Sequence, residues 1–227
     1  VSDRLDLKNA IIEHCTPLWQ NGDVREVRIL GAADRNNRTD SGYFDSLDTL
    51  AEAVAVGPYL TSKVYVTVNP VKPELLARSA NHMTAYAKQT TSDPDVLCRR
   101  FLPMDFDPSR LAGISSTDAE HEAALQAARD VREWLRGQGW PDPILADSGN
   151  GAHLLYGVDL PNDTAGKDLV QQCLQAVAAW LVSPGVVFDT SVFNAARIWK
   201  LYGTTARKGD STPERPHRQS HILEVGA

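Results

Sequence analysis

The chain has 227 residues, 42% of them hydrophobic and 23% charged, values ordinary for a globular protein with a core of its own. The length suits one domain or two intimately packed modules; no apolar run approaches the roughly 20 residues needed to cross a membrane, and no basic start leads into an apolar signal core, so a cytoplasmic protein is expected. The net charge of −6 argues against a uniformly basic nucleic-acid-binding surface.

Charge is unevenly distributed. Acidic residues gather in the first half and near Asp118. The stretch from Arg197 to Arg218 carries Arg197, Lys200, Arg207, Lys208, Arg215 and Arg218 against Asp210 and Glu214. Such a local basic face can hold phosphates whatever the total charge. Cys15, Cys98 and Cys173 are odd in number and far apart. That supports neither a disulfide framework nor a zinc site, so free thiols and no zinc are expected. The first residue is Val, which suggests a fragment of something longer.

Residues 4–19 have apolar positions near helical spacing at Leu7, Ile11, Ile12 and Leu18. Val24 to Leu30 alternates and predicts a strand. The polar stretch from Asp34 to Ser41 is expected to be a solvated loop, whose Arg35 or Arg38 could touch a template. Ser46 caps an expected helix through Val56. Lys63 to Val68 predicts a strand, broken by Asn69-Pro70 and Lys72-Pro73. Asp93-Pro94-Asp95 predicts a turn. Val96 to Phe106 predicts a central strand. Thr117 and Glu120 form a capping-box pattern before a helix over 118–136, with Ala124, Ala128, Val131 and Leu135 on its apolar face. Ile144 to Ala146 and Gly151 to Val158 predict strands joined through Ser148-Gly149-Asn150. A helix then starts at Asp163 or Thr164, and Val186 to Phe188, Arg197 to Tyr202 and His221 to Val225 are the last apolar segments. The order strand, helix, strand, strand, helix, strand in the second half predicts an α+β sheet with helices on one face, of the ferredoxin-like or RNA-recognition-motif (RRM) kind.

Three segments carry chemistry. In Met104-Asp105-Phe106-Asp107, residues i and i+2 of a strand point to one side, bringing two carboxylates together. Like charges that close favour a cation between them, and hard oxygen ligands favour Mg²⁺ or Mn²⁺. Solvated strand-end acids are the alternative. In Ser148-Gly149-Asn150-Gly151-Ala152-His153, two glycines let backbone approach a ligand and expose N–H groups to an anion. A tight hairpin with an ordinary His is the alternative. Val187-Phe188-Asp189 supplies a further Asp after an apolar strand. It is followed by Asn194, Arg197 and Lys200, which share a face if helical and do not if extended. Trp134, Trp180 and Trp199 fit apolar faces. His14, His82, His121 and His221 lack metal-ligand spacing.

Taken in order, these segments resemble the archaeo-eukaryotic primase (AEP) superfamily, specifically the primase-polymerases of phages, plasmids and other mobile or defence-linked elements. An apolar run ending in Asp-x-Asp is matched by Asp105 and Asp107. A Ser-Gly-x-Gly-x-His block is matched by Ser148 to His153. An apolar residue followed by Asp is matched by Phe188-Asp189. The downstream Asn194, Arg197, Lys200, Gly203 and Thr204 resemble a further block of the mobile-element branch. The matches span roughly residues 95–210.

The resemblance implies an N-terminal α/β module over residues 1–93 packed on an RRM-like catalytic module over 94–227, with one active site across both. It implies template-directed nucleotidyl transfer from dNTP or NTP to initiate or extend primers on single-stranded DNA. One or two Mg²⁺ or Mn²⁺ ions would sit on Asp105, Asp107 and Asp189. Ser148, Gly149, Asn150, His153, Asn194, Arg197 and Lys200 would bind the nucleotide, and Arg207, Lys208, Arg215 and Arg218 would contact nucleic acid. Fused or associated helicase or CRISPR adaptation proteins would lie outside the chain. A metal-dependent nuclease or replication-initiation protein and a non-catalytic nucleic-acid-binding module are the rival readings. The nickase type normally uses His-x-His, which the sequence lacks.

Overall fold

The computed structural model describes residues 2–31, 38–59 and 63–226. Chain order begins with α1 (Ser2–Cys15), β1 (Arg25–Leu30), β2 (Thr39–Phe44), α2 (Leu47–Val56) and β3 (Lys63–Thr67). It continues with β4 (Cys98–Pro108), α3 (Asp118–Gly137), β5 (Ile144–Asp147), β6 (Ala152–Pro161), α4 (Thr164–Trp180) and β7 (Val186–Phe188). The C-terminal part holds β8 (Ile198–Lys200), β9 (Thr205–Ala206), β10 (Arg218–Gln219) and β11 (His221–Glu224). The protein is α+β, as its alternating patterns predict.

Local chemistry sets the helix starts. Ser46 accepts from Thr49 N at the head of α2, and Asp163 accepts from Gly166 N at the head of α4. Thr117 and Glu120 close a reciprocal capping box on α3, which satisfies two otherwise orphaned N–H groups. The face of α3 expected to be apolar is buried at Ala124, Ala128, Val131 and Leu135.

The larger sheet has the order β11-β5-β6-β4-β7. The segment β4-α3-β5-β6-α4-β7 therefore places its first strand between its third and fourth, the ferredoxin-like arrangement. Helices α3 and α4 lie side by side, with Trp134 and Trp180 stacked at 4.5 Å. On β4, Met104 and Phe106 are fully buried, whereas Asp105 and Asp107 are only partly so. The strand thus puts its apolar face into the core and its acids on the opposite face.

The second sheet has the order β2-β1-β3-β8. Its edge strand β8 comes from residues 198–200, so the chain returns to the first module after building the second. A division at residue 93 does not separate the two sheets. One segment differs from its sequence pattern. The expected solvated loop ends early, because Asp40 is fully buried in β2. It takes two hydrogen bonds from Arg38 (2.7 and 2.6 Å), one from Tyr59 Oη and one from Tyr86 N. Asp34 and Arg35 lie outside the described residues. Arg197 to Tyr202, whose sequence leaves helix and strand open, contains the strand β8 over Ile198–Lys200.

Gly151 sits where β6 meets the Asp-x-Asp strand. A Cβ there would collide with the Phe106 carbonyl oxygen. Because backbone cannot give way as a flexible side chain does, Gly151→Ala is expected to cost ~3 kcal/mol or more and to lower the melting temperature by roughly 6 °C or more. Thermal unfolding followed by circular dichroism checks this.

Candidate active site

The end of β4 organises the site. Asp105 pairs with His153 of β6 in the antiparallel register, and directly opposed residues share a face. On the other side, Asp189 N donates to Asp105 O at 3.0 Å, continuing the β4–β7 ladder by one residue. His153, Asp105 and Asp189 therefore form a row across three chain segments, and Asp107 lies two residues further along β4. His153 Nε2 is 3.5 Å from Asp105 Oδ1. Asp107 is held by Arg110 at 3.4 Å, whose guanidinium also donates to Pro108 O and Ile114 O, and lies 3.7 Å from Lys208.

A cleft of about 210 Å³ opens above Asp105, Asp107 and His153, between the five-stranded and four-stranded sheets, and Asp189 is not among the residues that line it. Asp105, Asp107, Ser148, Asn150 and His153 line one wall. Arg197, Lys200, Arg207, Lys208 and Lys63 bring positive charge to the rest, with Tyr65 and Trp199 beside them. Tyr65 and Lys200 are register partners on β3 and β8, with the ammonium 6.0 Å from the phenol ring. Burial, then the charges of Asp107 and Asp105, raise the Tyr65 phenol above its ordinary value. Burial, with help from Arg207, lowers the Lys200 ammonium to about 7. Lys200 Nζ donates to Thr205 O at 3.1 Å, which uses one of its three hydrogens. Arg197, which lines the cleft, is anchored by bonds to Ser191 O and Oγ in the turn after β7.

The Ser148–Gly151 turn is built from within. Ser148 Oγ accepts from Gly151 N (2.9 Å) and Asn150 N (3.4 Å). Among the described residues the structure records no bond that uses its own hydrogen, and Ser148 lines the cleft. Asp147 accepts from Gly149 N and meets His121 Nε2 at 2.9 Å, so α3 braces the turn.

The cleft does not include every expected residue. Gly149 (φ +87°) faces protein rather than ligand, because a Cβ there would lie 2.6 Å from Ala206 Cβ and 2.8 Å from Arg218 O. Asn150 lines the cleft, but its Oδ1 accepts from Ser116 N and Oγ. Asn194 stands outside the lining; its carbonyl accepts from Arg197 N, which turns the chain into β8. Arg215 binds Glu120 and Ser115 O, and Arg218 binds Asp118 and Ser116 O. Both basic side chains clamp the head of α3, where acids absent from their own stretch neutralise them. Arg215→Ala is expected to lower the melting temperature while leaving ligand affinity at the cleft unchanged, a pair of readings that calorimetry supplies.

Lys63, Tyr65, Arg110 and Tyr202 were not singled out from the sequence as site residues. Alternation over Lys63-Val-Tyr65-Val-Thr67 carries a signal for the first two, since Val64 and Val66 take the core face. Trp199 is buried as its apolar setting suggests, yet its ring also packs on His153 at 4.2 Å and walls the cleft.

A divalent ion fits part of this donor set. Among the described residues no three His, Cys, Asp or Glu side chains form a ready cage. Asp189 Oδ1 is engaged with Ser191 N at 2.8 Å. Two carboxylates on one strand face beside a cationic cleft suit Mg²⁺, which usually takes one or two carboxylates plus substrate phosphates and water.

Among solved structures, the chain resembles the AEP domain of the cyanophage S-2L primase-polymerase, with a TM-score of 0.54 and 13% identity over 96% of this chain and 90% of that one. Primase RepB′ aligns with a TM-score of 0.49 at 12% identity, over 96% of this chain and 56% of that chain. The RepB′ catalytic domain in complex with initiator DNA gives 0.46 at 12% identity, over 97% and 85%. No family model and no curated protein matches the chain. The protein has the fold of an AEP primase-polymerase domain. No helix among the described residues is long and apolar enough to cross a membrane.

Proposed function

We propose that the chain is the catalytic domain of a DNA primase-polymerase, transferring nucleotides from dNTP or NTP to a hydroxyl on single-stranded DNA or on a first nucleotide. The observation that carries this reading is the cleft itself: Asp105 and Asp107 on one wall, with Lys63, Arg197, Lys200, Arg207 and Lys208 facing the same space. Carboxylates alone suit a cation and cations alone suit an anion; the pair suits a metal-bound polyphosphate.

In this reading the 3′-hydroxyl oxygen attacks the α-phosphorus, the bond to pyrophosphate breaks, and the protein's task is alignment and charge neutralisation. Mg²⁺ or Mn²⁺ held by Asp105 and Asp107, with Asp189 as a third carboxylate, would ease loss of the hydroxyl proton and offset charge on the phosphates. Ser148 Oγ donates its hydrogen to a phosphate oxygen. Arg197, Lys200, Arg207 and Lys208 grip the triphosphate, where an Arg adds orientation through its planar fork. Lys63, at the exposed rim, meets the same anion or the template.

Titration with dNTP by calorimetry tests the reading. Binding that requires Mg²⁺ or Mn²⁺, and that weakens at least about tenfold in Arg197→Ala, is expected from loss of a charge-assisted contact of ~1.5–3 kcal/mol. Equal binding of dNTP without metal, or cleavage of DNA with metal but without triphosphate, would count against it.

A further inference from the structure

Behind the cleft, three side chains form a buried line of hydrogen bonds. Trp199 Nε1 lies 3.0 Å from Tyr202 Oη, and Tyr202 Oη lies 2.8 Å from His153 Nδ1. Tyr202 is fully buried, Trp199 is 4% exposed and His153 5%. Directions along this line follow from chemistry. An indole nitrogen only donates, so Tyr202 Oη accepts from Trp199. Burial raises the Tyr202 phenol well above its ordinary value and keeps its single proton in place. Among the described residues, the acceptor within bonding distance of that proton is His153 Nδ1. Nδ1 therefore presents its lone pair to Tyr202. The hydrogen of a neutral imidazole must then sit on Nε2, the atom that faces Asp105 and the cleft.

We infer that Trp199 and Tyr202 are positioning residues that lock His153 in its Nε2–H form, so that it faces the cleft as a hydrogen-bond donor and not as a base or a metal ligand. A neutral Nε2–H has no lone pair to offer. It can donate to Asp105, or to an anion lying over Asp105. Packing of the Trp199 ring on the imidazole at 4.2 Å restrains its plane as well. The donation to a phosphate oxygen rests on the triphosphate reading; the locked tautomer does not.

The test is a long-range ¹H–¹⁵N correlation spectrum of histidine-labelled protein in mildly alkaline buffer, without nucleotide or metal. The His153→Gln spectrum identifies the His153 signals. The expected result is a protonated-type Nε2 and an unprotonated-type Nδ1. The reverse pattern, or a fast average of both, would overturn the inference. In Tyr202→Phe the two forms are expected to average, and affinity for metal-bound dNTP to fall about tenfold through loss of one well-aimed bond to charge. Gln places an obligatory N–H donor near the Nε2 position. His153→Gln has no imidazole tautomer to lock, so Tyr202→Phe should cost little further affinity in that background. Equal losses from Tyr202→Phe in both backgrounds would mark a merely structural phenol and contradict the positioning role. A locked Nε2–H form in a protein that binds no dNTP would support the relay and count against the triphosphate reading alone.

Discussion

Asp105→Ala is expected to remove nucleotide transfer while the protein stays folded. The side chain is one quarter exposed, and its nearest partner is the long 3.5 Å approach of His153. The hydrogen bond from Asp189 N goes to the Asp105 backbone carbonyl, which Ala retains. Removing one of two neighbouring carboxylates also relieves like-charge repulsion. Stability should therefore change by less than about 1 kcal/mol in either direction. Activity depends on the same carboxylate for metal. Metal-assisted charge stabilisation is worth several kcal/mol, so a loss of at least ~10³-fold in rate is expected. Asp105→Asn makes the sharper version, because it keeps shape and removes only charge. A variant with equal melting temperature and near wild-type rate would show that Asp105 is a solvated strand-end acid.

The second large effect concerns Lys200. Its ammonium is lowered to about 7 by burial, with Arg207 adding repulsion. The free protein thus loses this charge as pH rises through about 7, and affinity for a triphosphate is expected to fall over the same range. An anion in the cleft favours the charged form, so at mildly alkaline pH nucleotide binding should take up a proton. Calorimetry in buffers of different ionisation enthalpy reads that uptake directly. Lys200→Met should abolish it and reduce affinity about tenfold or more. Stability runs the other way. The unfolded chain keeps this proton up to the ordinary value of 10.5 while the folded chain releases it near 7. Stability therefore rises with pH between these values, and the penalty is complete below the lower one. Lys200→Met should accordingly be more stable than wild type in acid while binding nucleotide less well, a trade typical of functional sites. Unchanged proton uptake in Lys200→Met would assign the effect to another group.

Much of this molecule is legible in the sequence, for local reasons. The capping box at Thr117 and Glu120, the caps at Ser46 and Asp163, and the alternation that buries Met104 and Phe106 beneath Asp105 and Asp107 are contained in short stretches. What was not legible depends on partners distant in the chain. Arg215 and Arg218 read as a free basic face, but Glu120 and Asp118, about a hundred residues away, neutralise them. Asp40 reads as a solvated acid until Tyr59 and Tyr86 close over it. Lys63 and Tyr65 belong to the cleft only because β8 returns from the other module to pair with β3. Gly149 and Gly151 read as places where backbone approaches a ligand, but at both positions what comes close is the protein's own chain.

The central claim is tested most directly by incubating the protein with primed and unprimed single-stranded DNA, labelled dNTP and NTP, and Mg²⁺ or Mn²⁺, beside the folded Asp105→Ala/Asp107→Ala variant. Metal-dependent extension of the primer, lost in the variant, is the expected result, and products on unprimed template would add initiation. Synthesis that survives in the variant would contradict the account, as would a folded wild-type protein that makes no product with either metal.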